Sequence, residues 1–246
     1  MISDLPFDLQ SLRDAYQDGT TPAEVIREVY SRIRAVDDPG IFLLLRDEAE
    51  VVAEAEYLGR FDAAKPLWGI PFCIKDNIDA AGLPTTAACP EFTYRAAEDA
   101  ACLAHLRRAG AVLVGKANLD QFATGLVGVR TPHPVPRNAL DPSIVPGGSS
   151  SGSAVAVANG LVSFSLGTDT AGSGRVPAAL NNIVGLKPSL GTLSASGVVP
   201  ACRTLDTVSI FALTVADAYA AFEVAAGYDP ADAYSRQIPT APLTCL

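Results

Sequence analysis

Two loops rich in glycine and serine carry the side chains best suited to chemistry in this 246-residue chain. The first reads Gly-Gly-Ser-Ser-Ser-Gly-Ser at 147–153 and leads into a small-residue helix predicted over 154–159. Loops of this type bind anions, because free N–H groups and the helix dipole point at the ligand. This loop lacks the Gly-Lys-Ser/Thr ending of a nucleotide loop and the G-x-G-x-x-G spacing of a dinucleotide fold. The alternative is a plain glycine turn that enters a closely packed helix.

The second loop, residues 168–175, contains Ser173 between two glycines and follows a strand predicted over 161–166. Ligand sites in α/β sheets commonly lie where strands end. Successive N–H groups around Gly172 would form an oxyanion pocket there, with Ser173 at a tight turn. A serine in such a loop can also serve only as a cap or a turn residue.

A lysine is the third candidate, since Lys75 ends an apolar run and is the only cation between Lys65 and Arg95. Burial beside a serine would lower the lysine pKa from about 10.4 toward neutrality, and the neutral amine would then act as a base. The alternative is a solvent-facing lysine at the end of a strand.

Histidine and cysteine usage restricts other mechanisms. With only His105 and His133 present, a three-histidine metal site is excluded and a Ser-His-Asp triad would need one of these two. We expect both to be surface or structural residues. The five cysteines are odd in number and include no C-x-x-C pair, so they predict buried thiols rather than disulfides or a zinc site. They are Cys73, Cys89, Cys102, Cys202 and Cys245.

Charge and hydropathy argue against two classes of partner. The net charge is −9 and no cluster of basic residues occurs, so we expect no nucleic-acid binding. The uncharged stretch 142–168 contains prolines, glycines and serines, and its apolar part, 154–166, is shorter than the roughly 20 residues of a membrane-spanning helix. The first residues include two acids and no basic segment, which predicts no secretory signal and a cytoplasmic protein.

The hydrophobic pattern predicts alternating helices and strands. A capping box formed by Thr21 and Glu24, with Pro22 at the first helical position, begins an amphipathic helix. Further helices are predicted at 47–58, 99–110 and 154–159, with a short one beginning at Pro177. Strands are predicted at 41–45, within 68–79, and at 111–115, 161–166 and 183–186. This alternation predicts an α/β fold around a central sheet.

The two loops, Lys75 and the run Val-Gly-Leu-Lys-Pro at 184–188 resemble the amidase signature family in order and spacing. Ser149 lies 74 residues after Lys75 and 24 before Ser173, which is similar to that family's Ser-Ser-Lys triad. The resemblance implies the α/β amidase signature fold, a central mixed β-sheet flanked by helices. It implies no cofactor and no metal.

The resemblance also implies a role for each residue. Ser173 is the nucleophile, Ser149 relays its proton, and neutral Lys75 accepts that proton. The peptide bond between Gly148 and Ser149 is cis in the family. The implied oxyanion-hole donors are the N–H groups of Thr170, Ala171, Gly172 and Ser173. The residues implied to hold this loop in shape are Asp169 and Arg175.

Within the family, four segments resemble the allophanate hydrolases: 118–130, Ser151, Ala-Gly-Ser-Gly at 171–174, and 197–206. Those enzymes remove ammonia from allophanate, a carboxylated urea. General amidases usually have Gly-Gly-Ser followed by an aliphatic residue at the nucleophile loop, and the segment 171–174 departs from that pattern. A substrate carboxylate needs a cation or N–H groups, and main-chain groups near Gly125 are the expected substrate-binding groups. We expect a small-molecule amide as the partner, and a homodimer stays open.

The resemblance covers nearly the whole chain but only the N-terminal part of the family's catalytic domain. We therefore expect residues 1–246 to form a single amidase-type catalytic domain, N-terminal portion only, truncated at the C-terminus. Three functions stay open. They are an amidohydrolase acting on allophanate, an amidotransferase subunit that passes ammonia to a partner, and a fragment without turnover.

Overall fold

The computed structural model describes residues 2–238 and contains a central six-stranded mixed sheet. In chain order, the strands are β1 (Phe42–Leu45), β2 (Pro71–Lys75), β3 (Pro84–Thr85), β4 (Tyr94–Arg95), β5 (Val112–Ala117), β6 (Phe164–Asp169), β7 (Val184–Leu186) and β8 (Thr207–Ala212). The helices are α1 (Leu9–Gln17), α2 (Pro22–Val36), α3 (Glu48–Tyr57), α4 (Ala101–Arg108), α5 (Ser151–Ala158), α6 (Arg175–Leu180) and α7 (Val215–Ala225). Short 3-10 turns lie at Ile2–Asp4, Pro90–Phe92 and Gln121–Ala123.

The sheet has the order β1-β5-β2-β6-β8-β7, and β3 pairs with β4 separately. Strand β2 runs parallel to both β5 and β6, whereas β1, β8 and β7 join their neighbours in antiparallel fashion. Every residue of β2, β5, β6 and β8 is buried, as expected for strands covered on both faces. The predicted α/β fold with a central mixed sheet is confirmed.

Local sequence signals explain several of these elements. Helix α2 begins with the predicted capping box, in which the Thr21 side chain accepts from the Glu24 N–H and the Glu24 carboxylate accepts from the Thr21 N–H. Its apolar face packs into the core through Ile26, Val29 and Tyr30. Among the described residues, no helix is long and apolar enough to cross a membrane.

Some sequence predictions were wrong in detail. Strand β6 begins at Phe164 and continues to Asp169, and α6 begins at Arg175, before the predicted Pro177. Neither β8 nor α7 was predicted.

The cysteine prediction holds only in part. Cys73 and Cys102 are buried, Cys89 is half-buried, and Cys202 is exposed because it lies in the loop before β8, outside the core. Cys245 lies outside the described residues.

The parallel strands bring the candidate residues to one edge of the sheet. Lys75 is the last residue of β2 and Asp169 the last of β6, and parallel neighbours end at the same edge. Helix α5 begins two residues after Ser149 and packs against both strands. Its small side chains permit close packing: a Cβ on Gly152 would lie 2.6 Å from the main-chain nitrogen of Asn118.

Candidate active site

A buried amine lies at the centre of the site. The side chain of Lys75 is completely buried, and its Nζ is 2.7 Å from Ser149 Oγ and 2.8 Å from Thr168 Oγ1. Burial lowers the pKa of Lys75 to about 7, because a charged amine loses its hydration there. Three carboxylates oppose that shift by stabilising the charged form, in decreasing order Asp120, Asp206 and Asp169.

Ser149 meets this amine from the first glycine-serine loop. It is fully buried, and the Gly148–Ser149 peptide bond is cis. Its carbonyl accepts the N–H of Asp120 at 3.0 Å. The next residue, Ser150, ties the loop to the end of β6, since its hydroxyl donates to the Thr168 carbonyl at 3.2 Å and accepts the Thr168 N–H at 3.3 Å.

Ser173 lies beside this pair but is not bonded to it through its hydroxyl. Its side chain is 3% exposed, and its Oγ donates to the Gly125 carbonyl at 3.4 Å. Its own carbonyl accepts the Ser150 N–H at 3.4 Å, so the two serine loops are in contact. Among the described residues, no hydrogen bond joins the hydroxyls of Ser149 and Ser173. Catalytic hydrogen bonds are often formed only once a substrate is bound.

One carboxylate organises the loop around Ser173. Asp169 is fully buried and accepts the N–H groups of Gly172 at 2.7 Å, Gly174 at 3.1 Å and Arg175 at 3.2 Å. The Arg175 guanidinium adds two contacts, from Nε at 2.9 Å and from NH2 at 3.1 Å. Burial raises the pKa of Asp169, but hydrogen bonds from Arg175 and the loop N–H groups outweigh burial and leave that pKa below its usual value.

These contacts require a correction to the expected oxyanion hole. Because the Gly172 N–H already donates to Asp169, it is not available to a substrate oxygen. The physical reason is the buried Asp169 carboxylate at the end of β6, which needs hydrogen-bond donors and takes this N–H at 2.7 Å. The N–H groups of Thr170, Ala171 and Ser173 have no hydrogen-bond acceptor in the described part of the chain.

The loop around Ser173 is also held by hydrogen bonds from the segment before β8. The Thr170 hydroxyl donates to the Asp206 carboxylate, which also accepts the N–H groups of Ala201 and Cys202. Asp206 lines a cavity of about 490 Å³ formed largely by residues 195–200 and 231–234. Ser173 is not among the residues that line this cavity.

Comparison with known proteins identifies the family. The family model described as Amidase matches residues 24–244. The chain belongs to the amidase family. It is 58% identical to urea amidolyase of Saccharomyces cerevisiae over 179 residues, which are 72% of this chain and 10% of that protein. It is 43% identical over 202 residues to a glutamyl-tRNA(Gln) amidotransferase polypeptide of Streptococcus pneumoniae, covering 82% of this chain and 41% of that polypeptide.

A solved structure from this amidase family has the same fold. The Kluyveromyces lactis allophanate hydrolase superposes with a TM-score of 0.86 at 45% identity, covering 94% of this chain and 39% of that one. The chain therefore spans about two fifths of that amidase, and about a tenth of the urea amidolyase that it matches.

Sequence reasoning missed three residues that act on Lys75 in this member of the amidase family. Thr168 binds the amine directly, and the carboxylates of Asp120 and Asp206 raise the pKa of Lys75 electrostatically. Asp120 lies in the run 118–130 and Asp206 in the run 197–206. Both runs were noted in the sequence only for their resemblance to allophanate hydrolases. No spacing rule connects either residue to Lys75.

Proposed function

We propose that this chain carries the nucleophile, the bridging serine and the base of an amidase that cleaves a small linear amide. The observation that carries the proposal is the fully buried Lys75 amine, 2.7 Å from Ser149 Oγ, with a pKa lowered to about 7. An amine with that pKa is substantially neutral at neutral pH, and a neutral amine has a lone pair to accept a proton.

The proposed reaction begins with a proton relay. Ser173 Oγ turns from the Gly125 carbonyl toward Ser149 and attacks the amide carbon. The Ser173 proton passes to Ser149 Oγ as the Ser149 proton passes to Lys75 Nζ, so that Lys75 becomes charged and Ser149 stays neutral. The C–O bond to Ser173 forms as the carbonyl oxygen takes up negative charge.

The second half of the cycle uses the same groups in reverse. The charged Lys75 returns a proton through Ser149 to the leaving nitrogen, the C–N bond breaks, and ammonia leaves. Water then attacks the acyl-enzyme, with Lys75 again as the base. We assign oxyanion stabilisation to the N–H groups of Thr170, Ala171 and Ser173, and the assignment is supported by their lack of an acceptor among residues 2–238.

The proposed substrate is allophanate. The proposal is supported by the 45% identity to the Kluyveromyces lactis allophanate hydrolase and by the 58% identity to a urea amidolyase. We further propose main-chain groups near Gly125 as partners of the substrate carboxylate, since Gly125 contacts Ser173 and is half-buried.

A second candidate is an ammonia-donating component of an amidotransferase. It is favoured by the 43% identity to the glutamyl-tRNA(Gln) amidotransferase polypeptide of Streptococcus pneumoniae over 82% of the chain. The same relay would release ammonia from an amide, and the ammonia would then pass to a partner protein. This candidate predicts a stable complex with a synthetase-like protein, and a failure to purify any such complex would argue against it.

The test uses the 246-residue chain with allophanate at pH 8 and measures ammonia release. We expect release that Ser173→Ala abolishes. The control is Ser143→Ala, which removes an exposed hydroxyl bonded only to Asp141 and should leave the rate unchanged. Labelling of Ser173 by an alkyl fluorophosphonate, mapped by mass spectrometry, tests the nucleophile separately. Labelling without ammonia release from allophanate would overturn the substrate, and the absence of labelling would overturn the nucleophile.

A further inference from the structure

Asp120 is a buried carboxylate outside the predicted triad. It contacts the loop 125–130, Gly148 and the carbonyl of Ser149. It is completely buried between β5 and the turn Gln121–Ala123. Among the described residues it forms no ion pair. A buried carboxylate without a cation is costly, so its retention here requires hydrogen bonds that satisfy it.

The carboxylate of Asp120 receives those bonds from one loop. Oδ2 accepts the N–H of Gly128 at 3.0 Å and Oδ1 accepts the N–H of Arg130 at 2.8 Å. The Gln121 N–H closes the same loop by donating to the Arg130 carbonyl at 2.7 Å. Residues 125–130 are therefore folded back over the carboxylate.

That loop contacts both serines. The Gly125 carbonyl accepts the Ser173 hydroxyl at 3.4 Å, and the Leu126 carbonyl accepts the Gly148 N–H at 2.9 Å. Asp120 itself donates its main-chain N–H to the Ser149 carbonyl at 3.0 Å. One residue thus fixes the carbonyl of Ser149 directly and the hydroxyl of Ser173 through the loop.

The fit between Asp120 and the loop leaves no free space. A Cβ on Gly125 would lie 2.7 Å from Asp120 Oδ2, and a Cβ on Gly148 would overlap the same oxygen. Both glycines therefore let the main chain approach this carboxylate.

We infer that Asp120 is a positioning residue, whose carboxylate holds the loop 125–130 against Ser149 and Ser173. This inference rests on the proposed function, since it assigns Asp120 a part in the same relay. Three carboxylates, Asp120, Asp206 and Asp169, stabilise the charged form of Lys75 electrostatically and raise its pKa against the effect of burial. Asp76, which follows Lys75, is instead paired with Lys116 at 2.9 Å.

The charge and the contacts can be separated by two variants. Asp120→Asn removes the charge, and its amide can accept only one of the two loop N–H groups. Gly125→Ala retains the charge but forces the loop away from Asp120 Oδ2. The matched control is Asp141→Asn, an exposed carboxylate that caps Ser143 and lies outside the site.

The experiment measures the rate at which an alkyl fluorophosphonate labels Ser173 in the 246-residue chain between pH 5 and pH 10. In that reaction Ser173 Oγ bonds to phosphorus, the P–F bond breaks, fluoride leaves, and the serine proton passes through Ser149 to Lys75. Since labelling needs neutral Lys75, the rate rises with pH through the Lys75 pKa. Loss of the Asp120 charge lowers that pKa, so the midpoint moves to lower pH.

We expect Asp120→Asn to lower the plateau rate about tenfold or more and to move the midpoint down by about half a pH unit or more. We expect Gly125→Ala to lower the rate similarly without moving the midpoint, and Asp141→Asn to change neither. A folded Asp120→Asn chain with the wild-type rate or an unmoved midpoint would overturn the inference. If Asp120→Asn does not fold, a wild-type rate in Gly125→Ala overturns it. Failure of the wild-type chain to label would instead overturn the proposed function.

Discussion

Lys75 Nζ and Ser149 Oγ lie 2.7 Å apart, with both side chains completely buried at the edge of the sheet where β2 and β6 end. The amine also lies 2.8 Å from Thr168 Oγ1. Hydrogen bonds to the hydroxyls of Ser149 and Thr168 therefore orient the Lys75 amine. Burial of this lysine lowers the free energy of unfolding at neutral pH, because the unfolded chain carries the charged amine that burial disfavours. The same burial keeps a large fraction of the folded amine neutral at that pH.

The first prediction concerns stability and Lys75. Its folded pKa of about 7 lies below the unfolded value, so between about pH 7 and pH 10.5 the unfolded chain binds the extra proton and wild-type stability rises with pH. Lys75→Met lacks this dependence. The stability of the wild-type chain relative to Lys75→Met should therefore increase by about 2 kcal/mol or more from pH 7 to pH 10.

Urea unfolding of both proteins at the two pH values measures this change. Comparing the two proteins at each pH cancels the titration of the other groups. A difference in unfolding free energy that stays constant from pH 7 to pH 10 would show that the Lys75 pKa is not lowered.

The second prediction concerns Asp169. Asp169→Asn removes the charge and at least two of the five N–H contacts that the carboxylate accepts, so we expect a loss of about 2–3 kcal/mol at pH 7. Only part of that loss comes from Arg175, because its side chain is 55% exposed and its ion pair is screened by solvent. The control Asp141→Asn, at an exposed site, should change stability by less than about 0.5 kcal/mol.

The pH dependence of the Asp169 effect has a defined sign. The folded pKa of Asp169 is lowered, so its contribution is complete above the unfolded pKa and is lost as the pH falls through the lower folded value. Chemical denaturation at pH 7 and at acidic pH should show the wild-type advantage over Asp169→Asn decreasing with acid. An advantage that grows with acid would contradict the role of the charged carboxylate.

Much of the site was predictable because its residues lie in short motifs. The resemblance to the amidase signature family grouped Lys75, Ser149 and Ser173, and the structure shows the contact between Lys75 and Ser149. The strand before Lys75 was visible as an apolar run. The influence of Asp120 and Asp206 on the Lys75 pKa was not predictable, because it depends on how the fold arranges segments that are distant in sequence. The hydrogen bond from the Gly172 N–H to Asp169 was not predictable either, because the sequence does not show which loop N–H groups the carboxylate accepts.

The missed elements have a similar explanation. Strand β8 is buried between β6 and β7, and its residues Thr207 and Ser209 place hydroxyls in the core. Their polarity weakens the apolar signal on which strand prediction depends. Helix α7 is apolar nearly all round, and its pattern lacks the one-sided periodicity of a surface helix.

The third prediction concerns the buried ion pair beside the site. Lys116 Nζ lies 2.9 Å from Asp76 Oδ1, and both side chains are almost completely buried. Burial is the main cause that lowers the pKa of Lys116, and the Asp76 charge opposes it. Lys116→Met would leave the Asp76 carboxylate buried without its cation, so we expect a loss of about 3–5 kcal/mol.

A double-mutant cycle measures this pair. Asp76→Asn in the Lys116→Met background should recover part of the lost unfolding free energy, because the unpaired charge is gone. Additive losses in the two single variants and the double variant would show that the two side chains do not interact.

The pH dependence of Ser173 labelling by an alkyl fluorophosphonate tests the central claim, that neutral Lys75 activates Ser173 through Ser149. We predict a rate that rises about tenfold per pH unit at acidic pH, reaches half of its plateau near pH 7, and is lost in Lys75→Met. A rate independent of pH, a midpoint near pH 10, or a Lys75→Met chain that labels like the wild type would contradict the account.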